Sequence, residues 1–244
     1  MFPDRGRASI SCRTHREHPI LVQRRELKLD IERIGTVSAI LTQPGRARAC
    51  YVLAHGAGAD MRHSFMEKVA AGLAERGIAT FRFNFPYMEK KQGRPDQPAV
   101  AHAAIRAAVE EAARLCPGLK LIAGGKSFGG RMTSQTQSKA PLPGVKGLAF
   151  LGFPLHADKK PSSERAEHLA GIAIPMLFLQ GTRDGLADLG HLRPVIKTLG
   201  ARATLHEVEG GDHSFAVLKK SGRSNEEALA EVLDTLAAWI DGVA

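Results

Sequence analysis

The stretch Leu119–Met132, LKLIAGGKSFGGRM, decides the fold. Its first seven residues predict a buried strand, the residues after Ser127 predict a helix, and Gly-x-Ser-x-Gly at 125–129 joins the two. A serine on such a sharp turn has a strained backbone, and only small neighbours let strand and helix pack closely around it, which explains Gly125 and Gly129. Because the helix N-terminus adds positive potential beside a developing oxyanion, we predict that Ser127 is a nucleophile.

Two other interpretations of this stretch compete with a nucleophile. Gly125-Lys126-Ser127 also matches the end of a phosphate-binding loop, but that motif needs another glycine five residues before Gly125, where this chain has Lys120. The second competing interpretation is a glycine-rich turn in which the serine has no chemical role. A strand before the motif and a helix after it favour the nucleophile.

On both sides of this stretch, strand-like runs alternate with helical periodicity. The runs are LKLDI near residue 29, GTVSAILTQPG, ACYVLAH, IATFRFNF, LKLIAGG, VKGLAFLGF, PMLFLQG and ATLHEVEG. This order predicts an α/β fold: one domain with a mostly parallel twisted sheet and helices on both faces. The segment between Phe153 and Pro175 is short, which predicts a small lid or none. Ligands of such sheets bind beyond the carboxyl ends of the strands.

Local signals predict where three of the helices begin or break. Ser64 with Glu67 and Ser224 with Glu227 have the spacing of capping boxes, which mark helix starts. Pro194 predicts an interruption in the helix that follows the PMLFLQG strand.

Two further strand ends supply partners for Ser127. Asp184 follows the PMLFLQ strand and His213 follows the last strand, so we predict His213 as general base and Asp184 as the carboxylate that orients it. Asp188 is the competing acid, but it falls in the next predicted helix. His55, at the end of the ACYVLA strand, is the competing base, and its position suits the orientation of a loop better.

Backbone amides complete the predicted site. The loop after ACYVLA contains Gly56 and Gly58, which let the backbone turn its N–H groups inward. We predict that the amides of Ala57 and Phe128 form the oxyanion hole.

Three cations and one histidine are candidate substrate contacts. Lys126 adjoins the nucleophile, Arg131 lies one helical turn beyond it and Arg183 precedes the predicted acid, so together they predict a preference for anionic acyl compounds. The competing interpretation is that each is structural, with Lys126 pointing outward. His156 ends the GLAFLGFPL strand and is predicted either to line the pocket or to lie at the surface.

Metal and cofactor sites are not predicted. The histidines of the folded part lack the i, i+4 or His-x-Glu spacing of zinc sites, and His15 with Glu17 has no cysteine pair to complete one. The predicted partner is a small-molecule acyl substrate.

Composition sets the remaining expectations. The 244 residues carry a net charge of +9, and six arginines against Asp4 and Glu17 give +4 before residue 26. We predict a basic, disordered arm over 1–25 and a folded domain over 26–244 with no nucleic-acid contact. The arm either contacts nucleic acid or an anionic surface, or is a disordered or wrongly assigned start of the gene; a transit peptide is a third alternative, although nothing marks a cleavage site. Cys12, Cys50 and Cys116 predict free thiols and a cytoplasmic location, and no apolar run has the length of a membrane span.

Five blocks in this order carry a resemblance to a known family: HGAGADM, GGKSFGGRM, GFPLH, LFLQGTRD and GGDHSF. From about residue 27 to residue 241 the chain resembles the α/β-hydrolases related to dienelactone hydrolase, most of all the branch that includes testis-expressed protein thirty and the hydrolase-like domain of a chromatin-complex subunit. The resemblance implies the α/β-hydrolase fold and a triad at Ser127, Asp184 and His213. Dienelactone hydrolases use a nucleophilic cysteine, so Ser127 argues against dienelactone as the substrate.

Together these patterns predict a serine hydrolase that cleaves a carboxylic ester or related acyl bond through an acyl-enzyme, without a cofactor. Thioesterase and lactonase activities stay open, and a peptidase is disfavoured because it usually needs a larger lid or an added domain. A non-catalytic interaction module with the same fold is the alternative from another class, since one relative in the branch serves as a scaffold.

Overall fold

The computed structural model describes residues 21–157 and 160–243. The strands are β1 (Val22–Ile31), β2 (Gly35–Pro44), β3 (Ala49–Ala54), β4 (Ile78–Phe83), β5 (Lys120–Lys126), β6 (Val145–Leu151), β7 (Met176–Gly181) and β8 (Ala203–Val208). The α-helices are α1 (Ser64–Glu75), α2 (Pro86–Glu89), α3 (Pro98–Leu115), α4 (Phe128–Lys139), α5 (Leu189–Leu199) and α6 (Asn225–Gly242). Short 3₁₀ turns cover Glu164–Gly171, Gly200–Arg202 and Lys219–Ser221.

The strands form one sheet in the order β1-β2-β4-β3-β5-β6-β7-β8. β1 pairs antiparallel with β2 and β2 antiparallel with β4, whereas all other neighbouring strands are parallel. This confirms the predicted mostly parallel sheet. β5 lies at its centre, so its carboxyl end, where Ser127 follows, meets the ends of β3, β6 and β7 at one edge.

Both faces of the sheet are covered by helices, as predicted. Side chains alternate along β3, so that Cys50, Val52 and Ala54 enter one apolar cluster while Ala49, Tyr51 and Leu53 enter another. α3, α4 and α5 contribute to the first cluster, and α1 and α6 contribute to the second. Between β6 and β7, the only helical segment among the described residues is the 3₁₀ turn Glu164–Gly171, which agrees with a small lid or none.

The predicted boundary between an arm and the domain at residue 25 is wrong, because it falls inside β1. Val22 already pairs with Pro44, and the Arg24 guanidinium donates two hydrogen bonds, of 2.9 and 3.0 Å, to the Glu67 carboxylate on α1. The charge of Arg24 is typical of the basic arm, and the exposed start of β1 lacks the apolar period that would mark a strand. Residues 1–20, where the rest of the predicted disordered arm and Cys12 lie, are outside the described residues.

Of the helix signals, the second capping box is confirmed, the first gives the correct helix start at Ser64 but not the capping contacts, and the interruption at Pro194 is wrong. Ser224 and Glu227 form a full capping box at the start of α6. α1 is instead capped by the His63 side chain, because the Glu67 carboxylate is drawn to Arg24 and to the buried Arg82. α5 runs without interruption through Pro194.

Cys50 and Cys116 are buried free thiols, as predicted. Within residues 21–157 and 160–243, none of the helices has the length and apolar character needed to cross a bilayer.

Candidate active site

Ser127 stands on a strained turn between β5 and α4. Its backbone has φ 49° and ψ −115°, a region that residues other than glycine rarely adopt. A Cβ atom at Gly125 would lie 2.2 Å from the carbonyl oxygen of Ala54 on β3, and one at Gly129 would lie 2.5 Å from the same oxygen. Both glycines are therefore required by the close approach of β3 to the turn, as the motif predicts.

The Asp184 carboxylate and the His213 imidazole form a close pair. Asp184 Oδ2 lies 2.7 Å from His213 Nδ1, with the carboxylate side chain fully buried and the imidazole 26% exposed. The Leu186 amide donates to Asp184 Oδ1 at 2.8 Å, and Gln180 Nε2 donates to Oδ2. A carboxylate held this way fixes the proton on Nδ1 and leaves Nε2 as the acceptor.

The loop that carries His213 is shaped by Asp212. Its Oδ1 accepts from the amides of Ser214 at 2.8 Å and Ala216 at 2.9 Å, and Phe215 adopts φ 63°. Asp212 thus stabilises the loop, as predicted, and its carboxylate is occupied by backbone amides of this loop. Gly181 lets this loop lie against β7, since a Cβ there would be 2.3 Å from the carbonyl oxygen of Gly211.

Ser127 and His213 line the same cavity of about 210 Å³. Its other lining residues are Gly56, Ala57, Gly58, Ala59, His63, Phe65, Met66, Lys126 and Ser214. Within the described part of the chain the Ser127 hydroxyl makes no hydrogen bond to protein, so no hydrogen bond joins the serine to the histidine across the cavity that both line. Such pairs often tighten only when substrate is bound.

Of the two amides predicted for the oxyanion hole, that of Ala57 belongs to a residue that lines this cavity, and that of Phe128 directly follows Ser127 in the chain. Ala57 is exposed on the loop between β3 and α1, and Phe128 is the first residue of α4, where no intrahelical acceptor exists for its N–H. Neither amide donates a hydrogen bond to another described residue. Both donors are consequently available to a ligand oxygen.

His55 is bound to the backbone and is not available as a base. The amide of Phe85 donates to its Nε2 at 3.0 Å, and Nδ1 lies 2.9 Å from the carbonyl oxygen of Gly56. Burial lowers the pKa of His55 to about 4, which keeps the ring neutral. The ring holds the start of the Gly56–Ala59 loop, in agreement with the predicted loop-orienting role.

The three cations predicted to favour an anionic substrate do not converge. Lys126 lines the cavity, but its side chain is buried and Nζ donates to the carbonyl oxygen of His213. Arg131 is absent from the cavity lining, and Arg183 is exposed and donates to the carbonyl oxygen of Gly210 at 3.0 Å. The outward orientation of Lys126 in the competing interpretation is also wrong, because its side chain is buried and bonded to the backbone of the His213 loop.

His156 neither lines the cavity nor lies at the surface. It is 4% exposed, its Nε2 accepts from the amide of Asp188 at 2.9 Å, and its Nδ1 lies 2.8 Å from the carbonyl oxygen of Ala157. Nε2 therefore ties the segment after β6 to the start of α5, whereas Nδ1 contacts only the neighbouring residue. Asp188 itself caps α5 through the amide of His191, so neither residue is placed to contact substrate.

Sequence reasoning missed two residues that support the pair. Gln180 bridges β6 and β7, since its amide donates to Asp184 and its Oε1 accepts from the amide of Phe153 at 2.9 Å. A lone amide in an otherwise apolar strand is the signal that could have identified it. Gly152, the second, adjoins both Lys126 and His213.

No group of three or more His, Cys, Asp or Glu side chains among the described residues is arranged to hold a metal ion.

Comparisons with known proteins agree with this architecture. The family model described as an alpha/beta hydrolase domain matches residues 47–241. A dienelactone hydrolase from Anabaena variabilis has a TM-score of 0.71 at 18% identity, covering 91% of this chain and 98% of that chain. A lidless α/β serine hydrolase from Xanthomonas campestris has a TM-score of 0.67 at 19% identity, covering 87% of this chain and 93% of its own. An esterase domain from Rhodothermus marinus has a TM-score of 0.67 at 16% identity, covering 89% and 97%.

Proposed function

Because the chain belongs to the alpha/beta hydrolase domain family, we propose that it is a serine hydrolase that cleaves carboxylic esters through Ser127, His213 and Asp184. The observation that carries this proposal is the buried Asp184 at 2.7 Å from His213, at the edge of a cavity that also contains the strained Ser127. The strained turn at Ser127 and the Asp184–His213 pair at one cavity favour a hydrolase over a non-catalytic scaffold.

In the proposed reaction, Ser127 Oγ attacks the ester carbonyl and its proton passes to Nε2 of His213. Asp184 stabilises the imidazolium, and the amides of Ala57 and Phe128 stabilise the negative charge on the carbonyl oxygen. His213 then protonates the leaving alcohol as the bond between the carbonyl carbon and the alcohol oxygen breaks, which leaves an acyl group on Ser127. Water releases this group by the same steps, with His213 as base.

The surface beside the cavity favours an apolar acyl group as part of the substrate. A groove of about 570 Å³ runs between α1 and α6 and shares His63, Phe65 and Ser214 with the cavity of Ser127. Ala71, Leu229, Ala230 and Leu233 are among its lining residues. We therefore assign the groove to the acyl chain, since it shares three lining residues with the cavity of Ser127.

Two finer expectations stay predictions. The placement in the testis-expressed-protein-thirty-like branch rests on the five sequence blocks. Thioester and lactone substrates would use the same steps, and a peptidase is disfavoured by the short segment between β6 and β7. The neighbours named as esterases favour the ester.

The test is the rate of hydrolysis of p-nitrophenyl esters by the wild type and by Ser127→Ala. We expect kcat/KM to fall roughly 10⁴-fold, because the variant retains the oxyanion donors but lacks the nucleophile. Ser138→Ala, on α4 but outside the cavity and the groove, is the matched control for loss of a serine hydroxyl. Activity in Ser127→Ala within tenfold of the wild type would contradict the proposal.

A further inference from the structure

Lys126 is a buried cation beside the proposed nucleophile that the reaction steps above do not use. The residue is 8% exposed, and its Nζ donates to the carbonyl oxygen of His213. No carboxylate among the described residues forms an ion pair with it. A charge buried without an ion pair normally destabilises a fold, so its presence calls for a function.

An aromatic pair and a glycine make room for this ammonium. Nζ lies 5.7 Å from the ring centroid of Phe65 and 5.9 Å from that of Phe215, and the two rings stack at 6.2 Å. A Cβ at Gly152 would lie 2.8 Å from Nζ, 3.1 Å from the carbonyl oxygen of His213 and 3.3 Å from its Nδ1. Gly152 therefore permits Lys126 and His213 to share one confined space.

We infer that Lys126 is a positioning residue, whose charged hydrogen bond to the carbonyl of His213 holds the imidazole in register with Asp184 and Ser127. This inference rests on the proposed function. A charge-assisted bond is about twice as strong as a neutral one, so the protonated lysine holds the loop more firmly than the neutral amine.

The titratable groups around Nζ are few. Asp184 and Asp212 act on it electrostatically, His213 is its bonding partner, and His63 faces the same cavity from the start of α1. Burial lowers the pKa of Lys126 to about 8, while the two carboxylates act in the opposite direction. The charge is accordingly present at neutral pH and lost in mildly alkaline solution.

Stability and activity should then change in opposite directions with pH. Between pH 8 and the ordinary lysine value of 10.5, the unfolded chain binds more protons at this site than the folded chain does, so this site makes the fold more stable as pH rises. Activity should fall over the same range, because the loop loses its charged anchor. If the lysine had a purely structural role, its loss of charge would change stability with pH but would not lower activity over the same range.

The experiment compares the wild type with Lys126→Met, which keeps the apolar stem, and with the exposed Lys146→Met as control. We expect Lys126→Met to lose roughly tenfold or more in kcat with little change in KM, and to lack the alkaline decline near pH 8 that the wild type shows. In urea unfolding, the free energy of unfolding of the wild type minus that of Lys126→Met should increase from pH 8 to pH 10.5. A Lys126→Met variant with wild-type kcat, or one that keeps the alkaline decline, would overturn the inference.

A second variant pair avoids replacement of the lysine. Gly152→Ala places a methyl group against Nζ, whereas Gly144→Ala introduces a methyl group at a similar φ, +74° against +69°, with nothing within 4 Å. Both should destabilise through backbone strain, but only Gly152→Ala should lower kcat per folded molecule and also weaken the alkaline decline near pH 8, since crowding of His213 alone would lower kcat equally at every pH. Equal kcat in the two variants counts against the inference, whereas an inactive wild type would instead refute the proposed function and leave the unfolding experiment as the judge of the lysine.

Discussion

At the residue scale, the account depends on which carboxylate serves His213. Asp184 is fully buried and receives hydrogen bonds from Gln180 and Leu186 in addition to the histidine. Asp188 is exposed and caps α5, with its carboxylate 3.1 Å from His191 Nδ1. The two aspartates differ by four positions in sequence but have separate roles.

Substitution of each aspartate by asparagine tests this assignment. Asp184→Asn should lower kcat roughly 10³–10⁴-fold, because an amide cannot hold the proton of His213 on Nδ1. Asp188→Asn should leave kcat nearly unchanged, since asparagine is as good a helix cap as aspartate. Ester hydrolysis with thermal unfolding as the folding control measures both, and the reverse order of activities would refute the role of Asp184.

The sequence could identify these residues only where their chemistry is tied to a motif or a strand end. Ser127, Asp184 and His213 each follow a strand, so pattern alone places them at one edge of the sheet. Lys126 and His156 lie at the same edge, yet their side chains are buried and bonded to backbone groups. The rotamer of a side chain depends on packing by segments that are distant in the sequence, such as Phe65 and Phe215 around the lysine. A single sequence does not show which distant segments meet.

At the element scale, α1 connects the sheet edge to the site. Glu67 on α1 receives Arg24 from β1 and the fully buried Arg82 from β4, at 2.9 and 3.0 Å. Burial raises the pKa of Glu67, but the hydrogen bonds from the two arginines outweigh it and lower the value overall. The N-terminus of α1, next to the Ala57 loop, is thereby fixed by charges on two strands.

The groove between α1 and α6 should determine acyl-chain preference. Ala71→Phe fills the groove, so kcat/KM should drop severalfold or more for an octanoate ester but remain nearly unchanged for the acetate of the same alcohol. Ala113→Phe, on an exposed site of α3, is the matched control. A loss that is equal for acetate and octanoate would show that the chain does not bind there.

At the scale of the whole molecule, the alternation of strands and helices was sufficient to predict the sheet, its mostly parallel order and the helices on both faces. The start of the domain was not predictable, because β1 is an edge strand whose first residues, Val22–Arg25, are exposed and partly charged. Edge strands bury one face at most, so their apolar period is weak.

The central claim is that Ser127 is a nucleophile activated by its surroundings. Reaction of the intact protein with a fluorophosphonate, followed by peptide mapping by mass spectrometry, tests it most directly, because only an activated serine forms the stable phosphonyl ester. We expect a single adduct on Ser127, lost in Ser127→Ala and slowed at least a hundredfold in Asp184→Asn. No adduct under conditions that label a known esterase, or an adduct on another serine instead, would contradict the account.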